Sequence, residues 1–209
     1  MGVKIISVNS YFPKNFHTIS EFKKSDGWDG DNILKTTGIN KRYISSKNED
    51  VISLSIRSAK KIINRKNKKK IDFLIFVSQT SPYKFPSVSC ILQNALGLKN
   101  DIFAIDINLG CSGFIYALKI ANSLYDKKNM KQGLIICSDT YTKFIGKKNK
   151  SCKPIFSDAS TCSLIKLNAN QNKTLFSFGV DGKGYKDLYL SSNSKEMFMN
   201  GPKIAIFTL

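Results

Sequence analysis

One segment of the sequence joins a strand pattern, a cysteine and a helix pattern without interruption. It runs from Ile105 to Leu118, where an apolar strand leads into Gly110-Cys111-Ser112-Gly113 and then into an amphipathic helix. This order places the Cys111 thiol at a helix N-terminus, where unpaired backbone N–H groups and the positive end of the helix dipole favour the thiolate. The two glycines let a partner carbonyl approach the sulfur. Cys111 is therefore the candidate nucleophile, and the alternative is a small buried cysteine at a tight turn.

Strand and helix patterns alternate along most of the chain. The predicted strands are Val3 to Asn9, Ile71 to Ser78, Asp101 to Leu109, Gly133 to Ser138, Cys162 to Leu167, Leu175 to Val180 and Leu188 to Leu190. The predicted helices are Val51 to Arg65, Ser87 to Leu96 and Gly113 to Lys127, and polar loops are predicted at Lys143 to Lys153 and Asn168 to Lys173. Strand–helix–strand units of this size predict an α/β fold with a mostly parallel or mixed sheet and helices on both faces.

Six short motifs carry a family resemblance. They are, in order, Tyr11-Phe12-Pro13, Thr37-Gly38-Ile39-Asn40-Lys41-Arg42, Phe85-Pro86-Ser87, the Cys111 segment, Ser138-Asp139 and Phe156-Ser157-Asp158-Ala159. In this order they resemble the landmarks of ketoacyl-acyl-carrier-protein synthase III, a condensing enzyme with a thiolase-like fold. Met199 to Phe207 resembles the segment where that family passes from its first half towards its second. The resemblance implies a thiolase-like N-terminal half-domain at 1–170, with nucleophile segment 105–118, and a transition towards an absent C-terminal half at 171–209.

The resemblance also implies an activity. The family is an acyltransferase that condenses an acyl thioester with malonyl-acyl carrier protein, with loss of carbon dioxide, in the biosynthesis of fatty acids or related acyl chains. Cys111 would accept the acyl group. The family's catalytic histidine and asparagine would come later in the chain, and the single histidine here, His17, falls in a predicted N-terminal loop. We therefore expect these 209 residues alone to be poorly active or inactive.

Two aromatic residues are candidates for substrate binding by the same resemblance. Phe85 matches the phenylalanine that crosses the dimer interface to line the partner's acyl pocket, and the alternative is a core aromatic beside Pro86. Trp28 precedes the Thr-Gly-Ile landmark, as a tryptophan does in relatives that use coenzyme A, and could stack on an adenine or contact the carrier's pantetheine arm. The alternative for Trp28 is a surface-loop anchor. The family's arginine is replaced by Thr36, which favours an acyl donor carried on acyl carrier protein.

One landmark departs from the family. Phe156 to Cys162 stands where the family has a glycine-rich run, and its glycines are replaced by Ser157, Ala159 and Thr161. The change is harmless if those glycines serve close packing, and it costs stability if they need left-handed backbone. Asp158 in this run is expected to be a buried structural hydrogen-bond acceptor.

Charge and cysteine content exclude several other classes. The net charge is +18, but arginine occurs only at Arg42, Arg57 and Arg65, so specific phosphate or base recognition is not favoured. The basic surface could instead attract an acidic acyl carrier protein.

Five cysteines without a CxxC pair predict neither a disulfide framework nor a zinc site, and no metal or cofactor is expected. No apolar run is long enough for a membrane span, so a cytoplasmic protein without membrane contact is predicted.

Three functional hypotheses are consistent with these observations. The first is a ketoacyl synthase III-like acyltransferase that acts as a homodimer with an acyl carrier protein. The second is a catalytically inactive half-protein that serves as a dimerisation or carrier-binding partner. The third is a basic binding protein on a borrowed fold, which would bind nucleic acid or acidic lipid with strong salt dependence. Among condensing enzymes, the Thr37-Gly38-Ile39 and Phe85-Pro86-Ser87 landmarks favour synthase III over a hydroxymethylglutaryl-coenzyme A synthase or a plant-type polyketide synthase.

Overall fold

The computed structural model describes residues 2–25, 28–126, 130–147, 149–168, 173–191 and 196–199. The strands are β1 (Gly2–Tyr11), β2 (Asn15–Thr18), β3 (Lys41–Ile44), β4 (Phe73–Val77), β5 (Phe103–Ile107), β6 (Gln132–Asp139), β7 (Ala159–Asn168), β8 (Leu188–Tyr189) and β9 (Phe198–Met199). The helices are α1 (Ile19–Ser25), α2 (Gly30–Thr37), α3 (Val51–Lys60), α4 (Val88–Ala95) and α5 (Gly113–Ser123). Short 3-10 helices span Lys68–Lys70, Tyr141–Phe144 and Gly182–Lys186.

A five-stranded mixed sheet is the centre of the fold, with strand order β1-β7-β6-β4-β5. Strands β6, β4 and β5 are parallel, whereas β7 is antiparallel to both β6 and β1. Every residue of β4 is buried, which explains its continuous apolar sequence. Because β6, β4 and β5 are parallel, their carboxyl ends meet at one edge of the sheet. The segment that follows β5 at this edge carries Cys111.

Apolar side chains cover both faces of this sheet. On one face, Leu74 and Phe76 of β4 belong to a buried cluster with residues of α3 and α4. On the other face, Phe73 and Ile75 belong to a cluster with Ala117 of α5. The alternation along β4 is the two-residue period of a strand. The predicted α/β class, with a mixed sheet and helices on both faces, is confirmed.

The chain divides into two compact units. The first comprises residues 1–12, 48–139 and 159–177 and contains the five-stranded sheet with α3, α4 and α5. The second comprises residues 13–47, 140–158 and 178–209 and contains the β2–β3 hairpin, α1, α2 and the short β8–β9 pair. The core of the second unit is formed by Ile19, Phe22, Trp28 and Ile33.

Several predicted elements differ from those observed. Helix α3 ends at Lys60 and not at Arg65, and no strand forms at Leu175 to Val180, where Leu175 is 80% exposed and Val180 is 87% exposed. His17 lies in β2, paired with Arg42 of β3, and not in a loop. The predicted domain boundary after residue 170, residues 169–172 of the second polar loop, and the Met199 to Phe207 landmark after its first residue lie outside the described residues.

None of the helices in the described ranges is both long and apolar enough to cross a membrane.

Candidate active site

Cys111 lies in the short turn between β5 and α5, as predicted from the sequence. It is exposed, and it stands one residue before Ser112, the N-cap of α5. The turn is closed by a hydrogen bond of 2.9 Å from the Gly113 N–H to the Gly110 carbonyl. The Ser112 side chain makes no capping hydrogen bond. The alternative of a buried structural cysteine is therefore wrong in the described structure.

Gly113 fixes the start of α5 through close packing. A Cβ at this position would lie 2.4 Å from Val77 Cγ1, which is closer than real Cβ atoms approach. It would lie 3.2 Å from Leu109 Cβ. Gly113 is not among the described glycines with positive φ, which are Gly38 and Gly97. The packing requires glycine at position 113 because the start of α5 touches the end of β4.

The end of β4 is held in turn by a carboxylate at the end of β6. Asp139 Oδ1 accepts hydrogen bonds from Ser78 Oγ at 3.1 Å, Gln79 N at 2.8 Å, Thr80 N at 3.0 Å and Thr80 Oγ1 at 2.8 Å. Burial raises the pKa of Asp139, and these four hydrogen bonds act in the opposite direction. From the sequence alone, Ser138-Asp139 is recognisable only as a family landmark. The contacts were missed because their partners lie about sixty residues away in sequence.

The other cysteines have different surroundings. Cys90 is exposed in the first turn of α4, where its sulfur accepts a hydrogen bond of 2.9 Å from Ser87 Oγ. Burial raises the pKa of Cys137 to about 12, with the charge of Asp139 adding to the effect, and burial also raises the pKa of Cys162 to about 12. Burial raises the pKa of Cys152 as well. These three thiols are kept protonated at neutral pH and are poor nucleophiles.

The two predicted substrate-binding aromatics occupy contrasting positions. Phe85 is 85% exposed in the segment between β4 and α4, so the alternative of a core aromatic is wrong. Trp28 is only 9% exposed, and its ring stacks on Phe22 with centroids 5.0 Å apart. The Lys153 ammonium lies 5.4 Å from the centroid of each of these two rings. Trp28 is thus part of the core of the second unit, and its role in substrate binding stays a prediction.

Two family landmarks are joined by hydrogen bonds inside the second unit. Arg42, 3% exposed, donates from Nε to the Phe156 carbonyl at 2.7 Å, and desolvation lowers its pKa while the charge of Asp158 raises it. The Tyr43 N–H donates to Ser157 Oγ at 2.7 Å.

Asp158 is fully buried and accepts from the Ser45 N–H at 2.8 Å and the Thr142 N–H at 2.9 Å. The predicted structural role of Asp158 is confirmed.

The lost glycines of this landmark cost no backbone strain. No non-glycine residue in the described ranges has positive φ, so Ser157, Ala159 and Thr161 all adopt ordinary backbone conformations. This outcome favours the close-packing interpretation of the family's glycines over the left-handed one.

No group of three or more histidine, cysteine, aspartate or glutamate side chains within the described ranges is arranged to hold a metal ion.

Comparison with known proteins identifies the family to which this site belongs. The family profile of 3-oxoacyl-[acyl-carrier-protein] synthase III matches residues 105–184, which include the Cys111 turn and α5. A beta-ketoacyl-[acyl-carrier-protein] synthase III of Clostridium perfringens is 31% identical to this chain over 230 aligned positions, covering 97% of this chain and 69% of that protein.

The chain belongs to the 3-oxoacyl-[acyl-carrier-protein] synthase III family.

A further relative and a solved structure agree with this assignment. A synthase III of Acholeplasma laidlawii is 36% identical over 177 residues, covering 81% of this chain and 56% of that protein. The crystal structure of the synthase III of Aquifex aeolicus superposes with a TM-score of 0.85 at 27% identity, covering 97% of this chain and 66% of that one. The chain thus spans between about half and two thirds of the length of these synthase III proteins. The thiolase-like fold predicted from the landmarks is confirmed.

Proposed function

We propose that this chain is the nucleophile-bearing part of a condensing acyltransferase of the synthase III type. The observation that carries the proposal is the exposed Cys111 in the turn between β5 and α5, within the segment that the family profile matches. The reaction joins an acyl thioester to malonyl-acyl carrier protein in fatty acid or related acyl-chain biosynthesis. The protein acts in the cytoplasm.

Acylation is the half-reaction that these residues support. The Cys111 thiolate attacks the thioester carbonyl, a tetrahedral oxyanion forms, and the donor leaves as a thiolate when the carbonyl is restored. The oxyanion needs hydrogen-bond donors positioned before the reaction. Among the described residues, no group accepts a hydrogen bond from the Cys111 N–H, so this donor is available next to the sulfur.

Condensation needs further donors. The malonyl thioester loses carbon dioxide, the resulting carbanion attacks the acyl carbonyl on Cys111, and the cysteine leaves as a thiolate. Charge develops on the malonyl thioester oxygen, where the family uses a histidine and an asparagine. The single histidine of the sequence, His17, lies in β2, where the family has no catalytic group. We therefore assign acylation, and not condensation, to the groups of these 209 residues.

Net charge and the position of β5 support the proposed partners. A net charge of +18 suits an encounter with an acidic acyl carrier protein, which delivers the acyl or malonyl group. Among the described residues β5 is the last strand of the sheet, and its outer edge suits pairing with a second copy of the chain. In such a homodimer the exposed Phe85 of one protomer lines the acyl pocket of the other. Trp28 is retained as a predicted substrate-binding residue, through the pantetheine arm or adenine of the donor.

An acyl-transfer assay tests the proposal. The purified chain is mixed with a short acyl thioester, on coenzyme A or on carrier protein, and the added acyl mass is located by peptide mass spectrometry. We expect one acyl group on Cys111, none in Cys111→Ala, and normal labelling in Cys90→Ser. We expect formation of the condensed product to be at least about 100-fold slower than in a synthase that has its oxyanion donors in place.

The assay also distinguishes the proposal from its rival. A folded chain that is never acylated on Cys111 by either donor would overturn the enzymatic proposal. That result would favour a non-catalytic partner of an intact synthase. Equal labelling of Cys90 and Cys111 would also contradict it, because the turn would then confer no selectivity.

A further inference from the structure

Asp139 makes the densest set of hydrogen bonds at the edge of the sheet where Cys111 lies. One oxygen, Oδ1, accepts from two side-chain hydroxyls and two backbone N–H groups of Ser78–Thr80, at 2.8 to 3.1 Å. Ser78 and Thr80 are 6% and 5% exposed. We infer that Asp139 is a positioning residue for Cys111, acting through the Ser78–Thr80 segment. The inference rests on the proposed role of Cys111 as nucleophile.

The Ser78–Thr80 segment is connected to both sides of the Cys111 turn. The Ser78 N–H donates to the carbonyl of Ile107, the last residue of β5, at 3.1 Å. Val77, which immediately precedes the segment, is the residue against which Gly113 packs too closely to admit a Cβ. The strand before Cys111 and the helix after it therefore both rest on the end of β4, and Asp139 holds the Ser78–Thr80 segment just beyond that end.

Positioning matters here because acylation depends on the direction of a backbone N–H. The Cys111 N–H can stabilise the oxyanion only if the turn holds it in line with the carbonyl bound to the sulfur. Alkylation by iodoacetamide forms no oxyanion and needs only an accessible thiol. Loss of the Asp139 acceptor should therefore slow acylation of Cys111 much more than its alkylation. A merely structural role would change both reactions together.

The chain offers a matched control at the opposite end of β4. Asp72 precedes β4 and accepts hydrogen bonds through Oδ2 from the Lys131 N–H at 2.9 Å and the Gln132 N–H at 3.1 Å, while Lys99 Nζ donates to its Oδ1 at 3.2 Å. It is therefore also a carboxylate that holds a neighbouring segment in the first unit. It lies at the amino end of β4, whereas Cys111 comes after the carboxyl end of the adjacent parallel strand. Asp72→Ala removes comparable hydrogen bonds without touching the supports of the Cys111 turn.

The experiment measures two rates for Cys111 in each variant, acylation by an acyl thioester and alkylation by iodoacetamide, with Cys90 alkylation as an internal reference. We expect Asp139→Ala to slow acylation about tenfold while alkylation changes less than about twofold. Asp139→Asn keeps an acceptor at Oδ1 and should remain within about threefold of the unmodified protein. Asp72→Ala should not change the ratio of the two rates. If Asp139→Ala fails to fold, Thr80→Val replaces it in the experiment. This variant removes one donor to Asp139 without a change of shape, and we expect a smaller decrease in acylation.

The outcomes separate this inference from the proposed function. If the unmodified protein is never acylated, the function of Cys111 fails and the inference fails with it. If it is acylated and folded Asp139→Ala or Thr80→Val is acylated at the same rate, the function stands and the inference is overturned. Parallel loss of acylation and alkylation, or an Asn variant as slow as the Ala variant, would also overturn it.

Discussion

Two cysteines of this chain share exposure and a position at the start of a helix, yet their helix starts differ. At α4, Asp106 accepts hydrogen bonds from the Val88 N–H at 2.6 Å and the Ser89 N–H at 2.8 Å, so a carboxylate occupies the helix N-terminus beside Cys90. At α5, Ser112 makes no side-chain cap, and the first N–H of the helix, that of Gly113, donates to the neutral Gly110 carbonyl. Because an anion at the helix start offsets its positive end, exposure and helix position alone do not make a nucleophile.

We expect Gly113→Ala to have the largest effect on this contrast. The new Cβ would overlap Val77, so the first turn of α5 must move. Displacement of about 1 Å can cost about 100-fold in rate, and overpacking costs about 1–3 kcal/mol of stability. Acylation of Cys111 and urea denaturation measure the two effects, with alkylation of Cys90 unchanged. Gly179→Ala is the matched control because a Cβ there meets nothing within 4 Å. Acylation at the normal rate in Gly113→Ala would show that the turn does not depend on this fit.

The buried cysteines provide a second contrast with the exposed pair, through pH. Burial raises the pKa values of Cys137 and Cys162 to about 12, whereas an unfolded chain ionises its thiols near pH 8.5. Between these values the unfolded chain has lost protons that the folded chain keeps, so the free energy of unfolding falls as pH rises. Below about pH 8 these thiols contribute no pH dependence.

Urea denaturation at two pH values measures this effect. We expect the free energy of unfolding to be lower at pH 10.5 than at pH 8 by about 5 kcal/mol from these two thiols together. Cys162→Ala should show a smaller pH-dependent loss than the unmodified protein. An identical loss in the two proteins would mean that the buried thiols do not control stability in this window.

Removal of the Asp106 carboxylate from the start of α4 should have a smaller effect, on stability and on the reactivity of Cys90. Asp106→Asn removes the charge at the helix start, which should cost about 1 kcal/mol of stability. The rate of Cys90 alkylation should rise about twofold to threefold because the helix dipole is no longer offset. Thermal denaturation and site-resolved alkylation measure these changes. A slower reaction at Cys90 would contradict the explanation by helix charge.

The smallest effect is expected at Ser112. Its side chain makes no capping hydrogen bond, so Ser112→Ala should change the free energy of unfolding by less than about 0.5 kcal/mol. Asp50→Ala is the positive control, since Asp50 and Ser53 form a capping box at α3 and its loss should cost about 1 kcal/mol. Chemical denaturation compares the two. A cost at Ser112 equal to that at Asp50 would reveal a hidden cap and would remove the contrast with α4.

Sequence patterns predicted the first unit well because burial and local pattern agree there. The apolar run of β4 is buried at every position, and α4 begins after Ser87 and ends at Ala95, inside the predicted Ser87 to Leu96. Helix α3 is shorter than its apolar period predicted because asparagine side chains compete with the helix. Asn64 Oδ1 accepts from the backbone N–H groups of Lys66 and Asn67, which fixes a turn where the helical pattern continues.

The helices and strands of the second unit were predicted less completely from the sequence. Helix α2 was not predicted, although Asp29 caps its start and Gly38, with φ of 69°, ends it, and both are recognisable signals. Leu175 to Val180 was predicted as a strand, but the described residues of this segment adopt no strand conformation. In the candidate site, Cys111 was predictable from a local motif, whereas Asp139 became meaningful only through hydrogen bonds with a distant segment.

The most direct measurement is site-resolved acylation of the two exposed cysteines in the same molecule. The chain is treated with an acyl thioester for a short time, digested, and the acyl content of the Cys90 and Cys111 peptides is compared. We expect acylation of Cys111 at least about 100-fold faster than that of Cys90, because the Asp106 carboxylate at the helix start beside Cys90 opposes both the thiolate and the oxyanion there. Equal rates, or acylation of Cys90 alone, would contradict the assignment of Cys111 as the nucleophile.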